Sequence, residues 1–315
     1  QVWFAGSNGK WGYTIDGGKT WEVDSVLYQG KSPDFRSIEL TKNGKAFLVS
    51  VTNPAIVFKA SVTKLKWEVV YEDTSKGAFF DMVKFENNSN GILLGDPKAN
   101  CFHIAKTTDG GETWNKINCA ALPPSLDSEA PFAASNSNID YIQNNIWIGT
   151  GGKTGSRVYR STDAGISWSS FPTPIVKGGT MTGIYTIDFY DEQRGVIAGG
   201  NWDSVTKITS NFALTNDSGK TWSLQSNRLP YISCAKFVPN KKGMELILLS
   251  GRGKPGPSNI YYIYNDNNFQ FNYPNSNYLS IEFANDSVAW LSGKNKIGKM
   301  RIEHHPSAYL SKSDL

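Results

Sequence analysis

The sequence predicts an all-β fold: a seven-bladed β-propeller of four-stranded antiparallel blades, forming one domain over residues 1–315. Three observations lead there. An eight-residue motif recurs along the chain, its copies are spaced by the length of one blade, and apolar segments keep a fixed phase with it.

The motif is the Asp-box hairpin, Ser/Thr-x-Asp-x-Gly-x-Thr/Ser-Trp. Four copies are nearly complete: Thr14–Trp21 (TIDGGKTW), Thr107–Trp114 (TTDGGETW), Ser161–Trp168 (STDAGISW) and Thr215–Trp222 (TNDSGKTW). Two are eroded. Tyr264–Phe271 (YNDNNFQF) keeps Asp266, and Ala60–Trp67 (ASVTKLKW) keeps only the tryptophan. The copies end at residues 21, 67, 114, 168, 222 and 271, intervals of 46, 47, 54, 54 and 49 residues that suit one four-stranded blade with loop insertions. A carboxylate at the Asp position accepts backbone N–H groups across a tight turn. Glycine two residues later supplies positive φ at no steric cost, and the indole can wedge between neighbouring sheets. Asp16, Asp109, Asp163, Asp217 and Asp266 are therefore expected to be structural, not catalytic.

The strands follow the same phase. Apolar runs at 2–6, 46–51, 91–95, 146–149, 195–199, 246–251 and 288–293 give seven second strands. More alternating segments at 36–40, 80–85, 133–141, 184–189, 232–238 and 279–283 give six inner strands, and the first blade lacks its own. Residues 307–314 (SAYLSKSD) align with 37–44 (SIELTKNG), so the C-terminal segment is expected to close the ring against Val2–Ala5.

Composition agrees. Charged residues make up 19% of the chain, below the roughly 25% of ordinary soluble domains, while Trp, Tyr, Phe and Gly number 10, 14, 16 and 30. The net charge of +4 is spread along the chain, with no basic run to track phosphates, so no nucleic-acid partner is expected. No apolar stretch of about 18 residues is present to span a membrane as a helix. No signal peptide is visible, and a monomer is expected.

With boxes and strands in place, the chain resembles the photosystem II stability/assembly-factor-like propellers, in their non-photosynthetic bacterial branch. The resemblance rests on PDFRS at 33–37, TNPA at 52–55, FFDMV at 79–83, LGDP at 94–97, APFAAS at 130–135, GTGG at 149–152 and AGGN at 198–201. It implies a secreted or periplasmic propeller whose photosynthetic relatives bind protein partners during assembly.

Propeller sites sit at the mouth of the central channel, where inner strands begin and the loops between second and third strands gather. The strand assignment places Arg36, Asp81, Asp96, Lys98, Ser135, Lys153, Asn201, Asp203, Arg252 and Lys254 there, beside Phe79, Phe132, Tyr185 and Trp202. From these we take Arg36, Asp81, Asp96, Ser135, Lys153, Trp202, Asp203 and Arg252 as candidate ligand-binding residues. A non-catalytic binding scaffold for a protein or small ligand is expected. The alternative is a glycoside hydrolase, sialidase-like, or a sugar-binding propeller. A sialidase needs an arginine triad, and only Arg36 and Arg252 fall at the mouth. A two-carboxylate enzyme could draw on Asp81, Asp96, Glu129 or Asp203, with its pair roughly 5–10 Å apart in an open mouth. A mouth plugged by side chains would favour the scaffold.

Other chemistries find no support. GTGGKT at 149–154 lacks the first P-loop glycine, Trp147 standing in its place, and no helix follows. His103, His304 and His305 lack zinc-ligand spacing. No dinucleotide or other cofactor motif is present, so neither metal nor cofactor is expected. Cys101 and Cys119 lie symmetrically about Gly110 in a box hairpin and could form a cross-strand disulfide. Cys234, on an inner strand, is expected to be a buried small hydrophobe.

Overall fold

The computed structural model describes residues 1–302 apart from 52–53, 134, 208–209, 227–228, 240–244, 253–257 and 265–270. Asp266, Lys254, His304, His305 and the proposed closing segment 307–315 lie outside the described residues.

Seven antiparallel sheets follow one another along the chain, each a simple meander. They comprise residues 2–25, 35–73, 80–116, 139–172, 182–224, 234–274 and 278–301, hereafter blades 1 to 7. Blades 2 to 6 have four strands; blades 1 and 7 have three among the described residues. In blades 2 to 7 the first strand lines the central channel: Phe35–Leu40, Phe80–Phe85, Ile139–Ile142, Thr182–Phe189, Cys234–Phe237 and Tyr278–Asn285. The only helical pieces described are two 3-10 turns, Cys119–Ala121 and Trp202–Ser204, and no described helix is long and apolar enough to cross a membrane.

The complete motif copies fold alike. In blade 1 the Thr14 hydroxyl donates to Asp16 Oδ1 (2.8 Å) and accepts from the Gly18 N–H (2.9 Å). Asp16 accepts the N–H groups of Lys19 and Thr20 (2.9 and 3.0 Å) and the Thr20 hydroxyl (2.7 Å). The same set recurs around Asp109, Asp163 and Asp217. Hydrogen bonds from Thr20, backbone first, hold Asp16 well below the usual carboxylate range. In the eroded copy of blade 2, main chain substitutes for the carboxylate. The Ser61 carbonyl accepts from Lys64 and Leu65 N–H (3.1 and 2.9 Å).

The boxes also join blades. Three of the four complete boxes cap an aromatic ring on the second strand of the preceding blade. Gly111 of blade 3 sits against Phe47 of blade 2, Gly219 of blade 5 against Trp147 of blade 4, and Gly18 of blade 1 against Trp290 of blade 7. Gly18 has φ +89° and a Cβ there would lie 2.5 Å from the Trp290 ring, so both backbone and space require glycine. Trp21 meets Trp290 edge-on at 5.8 Å, and Lys299 Nζ donates to the Gly17 carbonyl (3.2 Å). Among the described residues, blades 7 and 1 thus meet through the same box-on-aromatic contact used elsewhere in the ring. Gly18→Ala is expected to lower the melting temperature by several degrees, read by calorimetry, since it strains the turn and displaces Trp290.

Cys101 and Cys119 are joined in a disulfide, Cα atoms 5.7 Å apart. The route differs from the symmetric pairing read from sequence. Ala105 opposes Lys116 and Lys106 opposes Asn115, which places Cys101 opposite residue 120, one position off. The chain makes up the difference by leaving the strand at Ile117 and entering the Cys119–Ala121 turn. Non-reducing peptide mapping should recover the two cysteines in one linked fragment. Cys119→Ser should cost roughly 3 kcal/mol for an 18-residue loop. Cys234 is fully buried and free.

Candidate functional site

The mouth is built by a recurring irregularity. In blades 2, 3, 5 and 7 the register between first and second strands slips, leaving residues 36, 81, 185 and 279 without a partner. A bulge bends the strand and re-aims its extra residue. Arg36, Asp81 and Tyr185 therefore occupy equivalent positions where three inner strands begin.

Below the mouth the channel is crossed by chain. The Ser280 hydroxyl of blade 7 donates to the Ser135 carbonyl (2.7 Å), and Asn136 Nδ2 donates to the Ile38 carbonyl of blade 2 (3.0 Å). Residues 135–136 lead into blade 4, which neighbours neither blade 2 nor blade 7, so these bonds span the lumen. Asn136 holds φ +56°, a conformation that asparagine tolerates better than most residues. Ser135 is buried, its Oγ 2.5 Å from Ser137 Oγ. It is part of a plug, not of the accessible mouth where the sequence reading put it. Asn136→Ala should cost about 1–2 kcal/mol in denaturant unfolding through the lost bond.

Deeper still runs a ring of charges absent from the sequence reading: Glu39, Lys84, Asp140, Asp188, Lys236 and Glu282, one per inner strand. Inner strands are sheet edges, so their N–H groups need acceptors. The carboxylates supply them from the preceding blade. Phe85 N–H donates to Glu39 (3.2 Å), Phe189 N–H to Asp140 (2.6 Å) and Phe237 N–H to Asp188 (2.8 Å). Lys236 pairs with Asp188 at 2.9 Å. Burial pushes Asp188 upward, and Lys236 opposes that. A charge preceding an aromatic (Lys84-Phe85, Asp140-Tyr141, Asp188-Phe189, Lys236-Phe237, Glu282-Phe283) was the available signal.

Of the mouth candidates, Asp81 is the most unusual. It is 1% exposed, and among the described residues neither carboxylate oxygen has a hydrogen-bond partner. Burial, then the nearby Asp96, drives its pKa well above the usual range, and burial pushes Asp96 up to about 6. Raised carboxylates contribute stability that is full below the unfolded-state pKa near 4 and lost as pH rises through the folded value. Between pH 4.5 and 7, Asp96→Asn should therefore lose less thermal stability than wild type, read by melting at each pH.

Blades 4 to 6 supply an aromatic wall in which Phe132, Tyr185 and Tyr231 are buried and Trp202 is the partly exposed ring. Phe132 stacks on Tyr185 (4.2 Å), Tyr185 meets Tyr231 edge-on (4.8 Å), and Tyr231 meets Trp202 edge-on (5.7 Å). Asn201 caps the Trp202–Ser204 turn, Asp203 is exposed on it, and Arg252 Nη1 lies 3.5 Å from the Trp202 carbonyl. Met181, 36% exposed, borders this wall through its carbonyl, which accepts from Trp202 N–H and the Tyr185 hydroxyl. Arg36 is exposed and paired with Asp34 (3.0 Å); Lys153 is exposed on the loop at 150–156.

Two candidates are drawn elsewhere. Lys98 reaches outward to Asp73 (3.1 Å) and Ser75 at the rim between blades 2 and 3. There His103 Nε2 meets the Tyr71 hydroxyl (3.0 Å), and burial lowers the His103 pKa to about 4. Glu129 is 2% exposed and saturated. It accepts from Thr150 Oγ1 (2.6 Å), Leu126 N–H (2.7 Å), Tyr159 (3.1 Å) and both Arg157 Nε (3.0 Å) and Nη2 (2.5 Å). Such a carboxylate has no lone pair left for chemistry. Among the described residues no three His, Cys, Asp or Glu side chains gather to hold a metal ion.

No protein-family model matches the chain. A xyloglucanase from Hypocrea jecorina (strain QM6a) is 26% identical over 47% of this chain, and the chain spans only 22% of that enzyme's length. Among solved structures, YCF48 bound to D1 peptide superposes with a TM-score of 0.66 at 15% identity, covering 96% of this chain and 89% of that one. An ancestral GH74 enzyme gives 0.58 at 13% identity over 85% of this chain and 36% of its own. YCF48 from Cyanidioschyzon merolae gives 0.51 at 13% identity, covering 85% and 96%. At these identities the likeness is one of fold.

Proposed function

We propose that this chain is a non-catalytic binding module of the assembly-factor-like propellers, taking a segment of a partner polypeptide at its channel mouth. The observation that carries the reading is the plug. With residues 135–136 bonded to blades 2 and 7, the mouth has a floor. It becomes a shallow dish bordered on one side by Trp202, the partly exposed ring packed on the buried Tyr185 and Tyr231, and on the other by the partly exposed Asp96 beside the buried Asp81. A dish of mixed aromatic and polar character suits a peptide, whose side chains fill it singly. The peptide in the YCF48 structure supports this by analogy of fold. The Cys101–Cys119 disulfide suits a secreted or periplasmic location, and the chain is taken to act as a monomer.

A carbohydrate-active reading retains one favouring observation, the Asp81–Asp96 pair, together with the partial likeness to a xyloglucanase. The two separate in a single experiment. The protein is incubated with xyloglucan while reducing ends are measured, and in parallel a random peptide display library is panned against it. The binding reading expects enriched peptides and no new reducing ends; steady release of reducing ends would overturn it.

A further inference from the structure

Asp81 is a costly residue with no local return. An acceptor buried without a donor forfeits its hydration, and native structures rarely leave one so. Nothing in the hairpin relieves it. The bulge between Phe80 and Met82 fixes the backbone, and the Asp96 N–H is spent on the Phe79 carbonyl (3.0 Å). Three cations of blades 2 and 3 are committed elsewhere: Lys84 to Glu39, Lys98 to Asp73 and Arg36, at the equivalent bulge of blade 2, to Asp34. Asp96, partly buried near the end of the neighbouring strand, is close enough to act on this buried carboxyl and is the more accessible of the two.

We propose that the Asp81–Asp96 pair is the seat for a cationic side chain, arginine or lysine, presented by the partner polypeptide. This rests on the polypeptide-binding reading and sharpens it to a basic segment. A guanidinium or ammonium group entering from the mouth can donate to both carboxylates at once, giving Asp81 the donor it lacks. Charge-assisted bonds of this kind are the strong ones. Trp202, the partly exposed ring of the aromatic wall, would then hold the apolar stem or the residues that flank it.

Two arms test it. In the first, protein labelled with 13C at the aspartate carboxyls is titrated with the N-acetyl methylamides of arginine, lysine and citrulline. The seat predicts saturable shifts of the Asp81 and Asp96 signals with arginine or lysine and none with neutral citrulline. Asp96→Asn should weaken the arginine titration roughly tenfold or more. Equal shifts with citrulline, or none with any probe, overturn it. Asp81→Leu serves as a folding control, expected to melt at or above the wild-type temperature while losing the response; retention of the response overturns the seat. In the second arm the panned peptide library is read for composition. Enrichment of arginine or lysine that disappears in Asp96→Asn supports the seat. Enrichment only of peptides free of both overturns it and leaves the polypeptide reading standing. A library that enriches nothing overturns the polypeptide reading, and the titration then decides the seat alone. Release of reducing ends from xyloglucan, lost in Asp96→Asn, would overturn both.

Discussion

Replacing Trp147 with alanine is expected to cost about 3–5 kcal/mol and to lower the melting temperature by roughly ten degrees. The indole is fully buried on the second strand of blade 4. It stacks on Phe189 of blade 5 with centroids 3.8 Å apart, and its N–H donates to the Ser218 carbonyl in the Asp-box turn of that blade (2.8 Å). The substitution therefore opens a cavity between blades and orphans a turn carbonyl together. Trp147→Phe keeps the ring and loses only the bond, so about 1 kcal/mol is expected. If alanine and phenylalanine cost the same in calorimetry, the inter-blade packing has been misjudged.

Removing the Glu129 carboxylate is the second large effect. Glu129→Ala strands the Arg157 guanidinium, which stacks on Tyr159 at 4.9 Å in a half-buried site, and breaking a buried pair this way costs about 3–5 kcal/mol. Restoring an apolar pair with Glu129→Leu and Arg157→Leu should recover part of that loss. A carboxylate serving catalysis would behave otherwise. Its removal would leave stability unchanged or raised and abolish turnover. Denaturant unfolding of the single and double variants distinguishes a lock from a catalyst.

What could be read from the chain was local. The boxes announce themselves because a carboxylate, a positive-φ glycine and an indole within eight residues are the whole of the turn. Their spacing then gives the blade count. The second strands, buried on both faces, read as continuous apolar runs such as Gly-Ile-Leu-Leu-Gly at 91–95. Asp81 and Tyr185 fall in the first halves of inner strands and Asp96 in the last half of a second strand, positions that follow from strand phase. What escaped was set between blades. Ser135 looked like a mouth residue since it falls at the start of the inner strand read at 133–141, but that strand begins only at Ile139 and the fate of Ser135 depends on Ser280, 145 residues away. Lys98 was carried outward by Asp73 of the preceding blade. The bulges that aim Arg36, Asp81 and Tyr185 have no compositional mark, since a register slip depends on the pairing of two strands. The cysteine pair was found by a symmetry that the observed register breaks by one residue, and the turn at Cys119–Ala121 compensated.

The channel mouth as a binding dish is tested most directly by the affinity of a library-selected peptide for wild type and for Trp202→Ala, measured by isothermal titration. Trp202 belongs to the wall and not to the plug, and an aromatic anchor at the centre of an interface contributes about 2 kcal/mol or more. A loss of roughly thirtyfold or more, with the fold intact by circular dichroism, is the result predicted. Unchanged affinity in Trp202→Ala and in Asp96→Asn alike would place the partner elsewhere on the propeller and contradict it.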